Sequence, residues 1–228
     1  MDTVFDAAHT ERILAERLRM AGPVLTYAHD KLNADTLADV GCGVGNASRL
    51  LSKNGWTVTG YDLRQANVTE ALARSADERY FVNDIEHATI APHDVIFCIG
   101  LLYHLENPMA ALRHIAAATR KVLVLESRVV PGTGAFARLV QEGPGIDQSG
   151  HGVALVPSRD LLVATLAQSG LHVYELTTYP TALKDFVWVP AKKWRRRVML
   201  FASRAPLPTT LGVVALKPSL PLVGDIWR

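Results

Sequence analysis

Two cysteines in 228 residues, Cys42 and Cys98, supply no disulfide framework, and each stands in an apolar stretch that reads as a buried strand or its end. Aromatic residues make up only 7%, and no separate RNA-binding unit stands out among them. Neither sign of charge dominates. The 24 Lys and Arg residues against 22 Asp and Glu give a formal balance of +2, too mild to argue for a polyanionic partner from the total. No Cys-rich zinc spacing, Walker loop or Gly-x-Ser-x-Gly elbow occurs, so metallohydrolase, NTPase and serine-hydrolase chemistry lack support. Asp2, Asp6, Glu11 and Glu16 interrupt the first apolar residues, which suits neither a signal peptide nor a membrane span; a cytoplasmic protein without a membrane partner is expected.

What is present fits one α/β domain. Hydrophobic residues account for 49% and charged residues for 20%, a globular balance, and the length allows one substantial core. Val4 to Met20 reads as an amphipathic helix that ends at Gly22-Pro23. From Thr36 onward short apolar runs alternate with helical segments. Strands are expected at Thr36–Val40, Thr57–Tyr61, Arg79–Val82, Asp94–Ile99 and Lys121–Leu125, with helices near Asn46–Lys53, Gln65–Ser75 and Pro108–Thr119. That rhythm argues for a parallel sheet with helices on both faces. The glycine-punctuated stretch 129–156 is too long for an ordinary connection and reads as a functional insertion. A helix over Ser158–Ser169 and strands at Leu171–Thr178 and Arg196–Ser203 follow, then an irregular tail over 207–228.

The strongest local signal is Asp39-Val-Gly-Cys-Gly-Val-Gly-Asn46, a glycine-rich turn between a strand and a helix, where missing side chains let backbone approach a ligand. The next strand ends in Tyr61-Asp62, and an acidic group there can accept from both ribose hydroxyls of an adenosine. The third ends in Asn83-Asp84, whose carboxylate can accept from an adenine amino group while Leu63 and Ile85 hold the ring. Asp39 can bind an amino group through water or order the turn, and Asp94 reads as structural. The glycine spacing lacks the third glycine of the dinucleotide fingerprint, which counts against a dehydrogenase.

Taken together, the Asp39–Gly45 turn, Tyr61-Asp62, Asn83-Asp84 and the Asp94–Leu105 strand resemble the class I S-adenosylmethionine (SAM)-dependent methyltransferases. Gly100-Leu-Leu-Tyr-His-Leu-Glu-Asn-Pro108, Val124-Leu-Glu-Ser127 and Val156-Pro-Ser158 are similar to the tRNA wobble-uridine 5-oxyacetate methyltransferase group, although this chain is shorter before its glycine turn. The resemblance implies a Rossmann-like α/β fold, a seven-stranded mostly parallel sheet with an antiparallel last strand. Residues 1–228 then form a single methyltransferase domain: an N-terminal helical cap over 1–31, a SAM-binding core over 32–206 and the tail. It also implies SAM as cofactor. Asp39, Gly41, Gly43 and Gly45 would line its methionine end, Asp62 the ribose and Asp84 the adenine, with Ile99 and Gly100 beside the sulfonium.

On the acceptor side, an alcohol gains from losing its proton as the new bond forms, and a histidine with pKa near ~6.5 can take it. His104 and His151 are the candidates, with Glu126 third. Glu142, Asp147 and His151 do not establish a metal site by spacing alone, and none is expected. Lys192, Lys193, Arg195, Arg196 and Arg197, near Trp188 and Trp194, can meet nucleic acid, an acidic small molecule or solvent. A small hydroxylated acceptor such as a sugar or natural-product intermediate is the favoured reading. tRNA modification and non-catalytic SAM binding stand as alternatives, and the oligomeric state is open.

Overall fold

The computed structural model describes residues 8–75, 79–142, 149–150, 152–179, 186, 197–218 and 220. Its sheet is built from β1 (Thr36–Val40), β2 (Thr57–Asp62), β3 (Tyr80–Val82), β4 (His93–Ile99), β5 (Thr119–Arg128), β8 (His172–Leu176), β9 (Arg197–Ser203) and β10 (Val213–Leu216). The order across it is β10-β8-β9-β5-β4-β1-β2-β3. Strands β1 to β5 run parallel, while β9 is antiparallel to both β5 and β8. The expected parallel sheet with a reversed strand is therefore present, enlarged by one edge strand. That eighth strand comes from the segment read as irregular: β10 pairs antiparallel with β8, and its Val213 is buried.

Apolar residues alternate along the central strands, and both alternations are buried. Ala38, Ile96, Cys98, Leu123 and Leu125 face one side, where they pack with α4 (Pro108–Ala118) and α5 (Arg159–Gln168). Leu37, Val95, Phe97, Val122 and Val124 face the other, with α1 (Ala8–Leu32) and α2 (Asn46–Lys53). Central strands apolar on both faces are the signature of a sheet covered by helices on either side. A third helix, α3 (Gln65–Arg74), flanks the β2–β3 edge through Val68 and Ala71.

Helix α1 departs from expectation: it runs straight through Gly22-Pro23 to Leu32. An interior proline costs about 3 kcal/mol. Met20, Ala21, Val24, Leu25 and Ala28 are all buried on one helical stripe, and at roughly 1.5–3 kcal/mol for each large side chain that burial offsets the cost. Asn33, at a positive φ of 52°, then turns the chain into β1. No described helix is long and apolar enough to cross a membrane.

The stretch 129–156 contains most of a two-stranded antiparallel ribbon, β6 (Ala137–Gln141) with β7 (Val153–Pro157). The ribbon is tied down where β4 ends, because the Leu155 amide donates to the Leu105 carbonyl at 2.8 Å. It therefore stands over the carboxyl ends of the parallel strands.

Candidate active site

A cavity of about 300 Å³ opens at those strand ends. Its floor is the turn after β1, held closed because the Gly41 and Cys42 amides both donate to the Tyr61 carbonyl, at 2.8 and 3.0 Å. Gly41, Gly43 and Gly45 have φ of 77°, 54° and 76°, a backbone conformation that is costly for residues bearing a Cβ. Gly41 and Gly43 line the cavity, whereas Gly45 does not. Gly45 sits at the N-cap of α2 with its Cα against the Tyr80 ring.

Asp62 lines the cavity and also organises its wall. One carboxylate oxygen accepts from the Gly43 amide at 2.9 Å, and the other from the Arg64 amide and the Asn67 side chain, both at 2.9 Å. Leu63, 41% exposed, and the buried Ile85 stand on the same cavity wall system. Asp84 lines the cavity too, but its oxygens are engaged locally by the Glu86 amide and by His87. The neighbouring Asn83 is the residue that sequence reasoning passed over: its Oδ1 is buried and has no hydrogen-bond partner among the described residues, and it too lines the cavity. A buried orphan acceptor is the kind of group a ligand N–H satisfies.

Asp39 is buried at the end of β1 and accepts from the Ser48 hydroxyl at 2.6 Å. Burial pushes its carboxyl up to about 6, against the Ser48 hydrogen bond, and the charge of Asp62 adds to the rise. Asp94 is structural, accepting from the Asp35 and Thr36 amides and pairing with Lys121.

At the other end of the cavity Ile99 and Gly100 close β4, and a 3-10 turn, Leu102–His104, follows. His104 is buried and lines the cavity. Its Nδ1 contacts Glu142 Oε1 at the end of the ribbon, and Glu142 Oε2 accepts from the Ser149 amide at 3.0 Å. Burial lowers the His104 pKa below its ordinary value, outweighing the upward pull of Glu142. The ring is thus held neutral at pH 7, with Glu142 as partner for an Nδ1–H and Nε2 left as the ring's acceptor.

Glu126 is placed differently from a base. It is fully buried, does not line the cavity, and lies between two guanidinium groups, Arg197 Nη1 at 2.8 Å from Oε1 and Arg17 Nη2 at 2.8 Å from Oε2. Arg197 is correspondingly not part of an exposed basic patch: it is buried in β9, donates to the Tyr103 hydroxyl at 3.2 Å and lines the cavity. His151, Asp147, Gln148, Trp188, Trp194 and the remaining cluster members Lys192, Lys193, Arg195 and Arg196 lie outside the described residues. No cluster of metal-ligating side chains occurs among the described residues.

Fold and cavity place the chain in the Rossmann-like class, in which ligands sit at the carboxyl ends of the strands. The chain matches the methyltransferase domain family over residues 8–176 and belongs to that family. It is 32% identical to a ubiquinone biosynthesis O-methyltransferase of Coxiella burnetii over 109 residues, 44% of this chain and 47% of that protein, so it spans about half the length of that relative. A malonyl-[acyl-carrier protein] O-methyltransferase of Serratia marcescens is 29% identical over 182 residues, 78% of this chain and 68% of that protein. Among solved structures, the N-terminal domain of EvdMO1 in the presence of SAH and D-fucose superposes with a TM-score of 0.60 at 19% identity, covering 82% of each chain.

Proposed function

We propose that this protein is a SAM-dependent O-methyltransferase acting on a small hydroxylated acceptor, such as a sugar or a natural-product intermediate, with His104 as the base. The observation that carries the reading is His104, buried on the cavity wall one short turn beyond Gly100 and paired through Nδ1 with Glu142. Relatives named as O-methyltransferases and a structural neighbour studied with D-fucose support the reaction class and the kind of acceptor.

The residues present fit the cofactor. Gly41 and Gly43 let backbone come close, Asp62 offers carboxylate oxygens at the end of β2, and the orphan Asn83 Oδ1 offers an acceptor at the end of β3. SAM, when bound, supplies an already activated methyl group, so the protein's task is to align the acceptor and manage its proton. Glu142 fixes the tautomer of His104, which leaves Nε2 to take the proton of the acceptor hydroxyl. Tyr103, with its ring 4.2 Å from that of His104, shapes the same wall.

The test is calorimetric titration with SAM and with S-adenosylhomocysteine (SAH), then turnover of hydroxylated acceptors by wild type and His104→Ala. The expected outcome is saturable binding of both ligands, little changed in the variant, with kcat lower by about 10²–10⁴-fold. Binding of neither ligand removes the methyltransferase reading, and full turnover by His104→Ala removes the base.

A further inference from the structure

Behind the glycine turn a buried line of hydroxyls leads to Asp39. Asp39, Ser48 and Tyr80 are each at most 7% exposed, and of the three only Asp39 lines the cavity. Ser48, on α2, donates to Asp39 Oδ2 at 2.6 Å. The hydroxyl of Tyr80, which opens β3, hydrogen-bonds with the side chains of Ser48 and of Ser75 at the C-cap of α3. Tyr80 is fixed by close packing: a Cβ at Gly60 would stand 2.5 Å from its ring.

Proton count sets the direction of these bonds. Ser48 has one hydroxyl proton, and while Asp39 is ionised that proton is committed to it. Burial pushes the Tyr80 phenol above its ordinary value, so it stays protonated at neutral pH, and the sense left for its bond with Ser48 is Tyr80 as donor. Hydroxyls that donate in series strengthen one another in a low-dielectric interior.

The carboxylate at the end of the line depends on such donors. Burial and the charge of Asp62, at the end of β2, disfavour the ionised form of Asp39, whereas the Ser48 hydroxyl and backbone amide favour it. Cys42 in the turn and Cys98 on β4 also face Asp39, but burial pushes both thiols up, so they stay neutral.

We infer that Tyr80 is a positioning residue for the cofactor: by donating to Ser48 it holds the serine proton on Asp39 and keeps that carboxylate charged to receive the cofactor's ammonium. The inference rests on the methyltransferase reading, and it adds two residues outside the cavity, Tyr80 and Ser48, to those that serve the cofactor.

The test compares wild type, Tyr80→Phe, Ser48→Ala and the double variant, with thermal unfolding to check that each folds. SAH affinity is measured by calorimetry from pH 5 to 7.5, and Asp39 is titrated by carboxyl-carbon NMR in the unliganded proteins. Loss of a donor to the ionised form raises the pH at which Asp39 ionises, so the rise of affinity with pH moves to higher pH. Tyr80→Phe keeps the ring and is expected to weaken SAH about threefold at pH 5.5 but less than about 1.5-fold at pH 7.5, as for a displacement of about half a pH unit. Ser48→Ala is expected to move the limb further, and Tyr80→Phe to add nothing once the serine hydroxyl is gone. The ligand's own titration is common to all four proteins and cancels in these ratios.

An Asp39 titration that Tyr80→Phe leaves in place overturns the inference. So does an equal loss of SAH affinity at every pH, since a ring that only packs carries no pH signature. A displacement by Tyr80→Phe that persists in the Ser48→Ala background also overturns it, because the effect then bypasses the serine. Should the wild type fail to bind SAH, the methyltransferase reading itself falls, and the NMR titration of the unliganded proteins still decides whether the hydroxyls act on Asp39.

Discussion

A Cβ at Gly45 would land 2.8 Å from the Tyr80 hydroxyl, at a backbone φ of 76°. Strain of the left-handed conformation alone is about 1–2 kcal/mol, and the contact with Tyr80 adds to it. Gly45→Ala is therefore expected to lower unfolding stability by at least about that amount, read from urea denaturation, and an unmoved midpoint would show that the turn relaxes freely. The three glycines of this turn are visible in the sequence, but which of them faces a ligand is not. That depends on Tyr80, which β3 carries in from 35 positions away, and only the folded sheet brings it against Gly45. Asp62 shows the same limit. Its place at a strand end is legible, whereas its grip on the Gly43 amide requires the two loops to be adjacent.

At the level of elements, α1 and the β6–β7 ribbon carry what the local sequence hides. Gly22-Pro23 is a sound stop signal on local grounds, and it loses to the buried stripe of Val24, Leu25 and Ala28. Arg17 sits on the same stripe as Ile13 and Leu14, and a lone cation on an apolar helical face is the signal that marks it as a cavity residue. The ribbon brings Glu142 to His104 across 38 residues, a pairing no spacing rule predicts.

Glu142→Leu tests that element. As the proposed base, His104 would work when deprotonated, so turnover is expected to rise with pH through its pKa, which burial holds below the ordinary histidine value. Glu142 opposes that lowering, and its removal is expected to move the acidic limb of the kcat profile to still lower pH. The plateau should fall about 10–10²-fold, less than the loss of the base itself, because the tautomer is no longer fixed. A plateau that drops without movement of the limb would leave Glu142 as a tether for the ribbon only.

Across the whole molecule, charged side chains follow the strand ends along the cavity: Asp39, Asp62 with Arg64 beside it, and Asp84 stand at the carboxyl ends of β1, β2 and beyond β3, while Arg17 and Arg197 lie beyond β4 and β5. This arrangement was only half legible, because the aspartates follow successive strands whereas the arginines come from α1 and β9, far apart in the chain and joined through Glu126.

Asp39 makes the acidic half measurable. Its carboxyl titrates at about 6 in the folded protein against 3.8 in its absence, so the folded state binds the extra proton between those values and stability falls as pH rises through that window. The loss is on the order of 3 kcal/mol, complete above about pH 6. The lowered pKa of Asp94, about 2, acts below 3.8 and leaves this window untouched, whereas the depressed His104 pKa gives stability that rises with pH toward 6.5 and partly masks the slope. Comparison with Asp39→Asn removes the mask: the difference in urea-unfolding free energy between the two proteins should change from pH 4 to 7 and then level. A ligand ammonium near Asp39 favours its ionised form, so SAM affinity should rise over the same interval in wild type and stay flat in Asp39→Asn. Parallel pH curves for the two proteins would mean that Asp39 is ionised throughout and that its burial is compensated by the turn it orders.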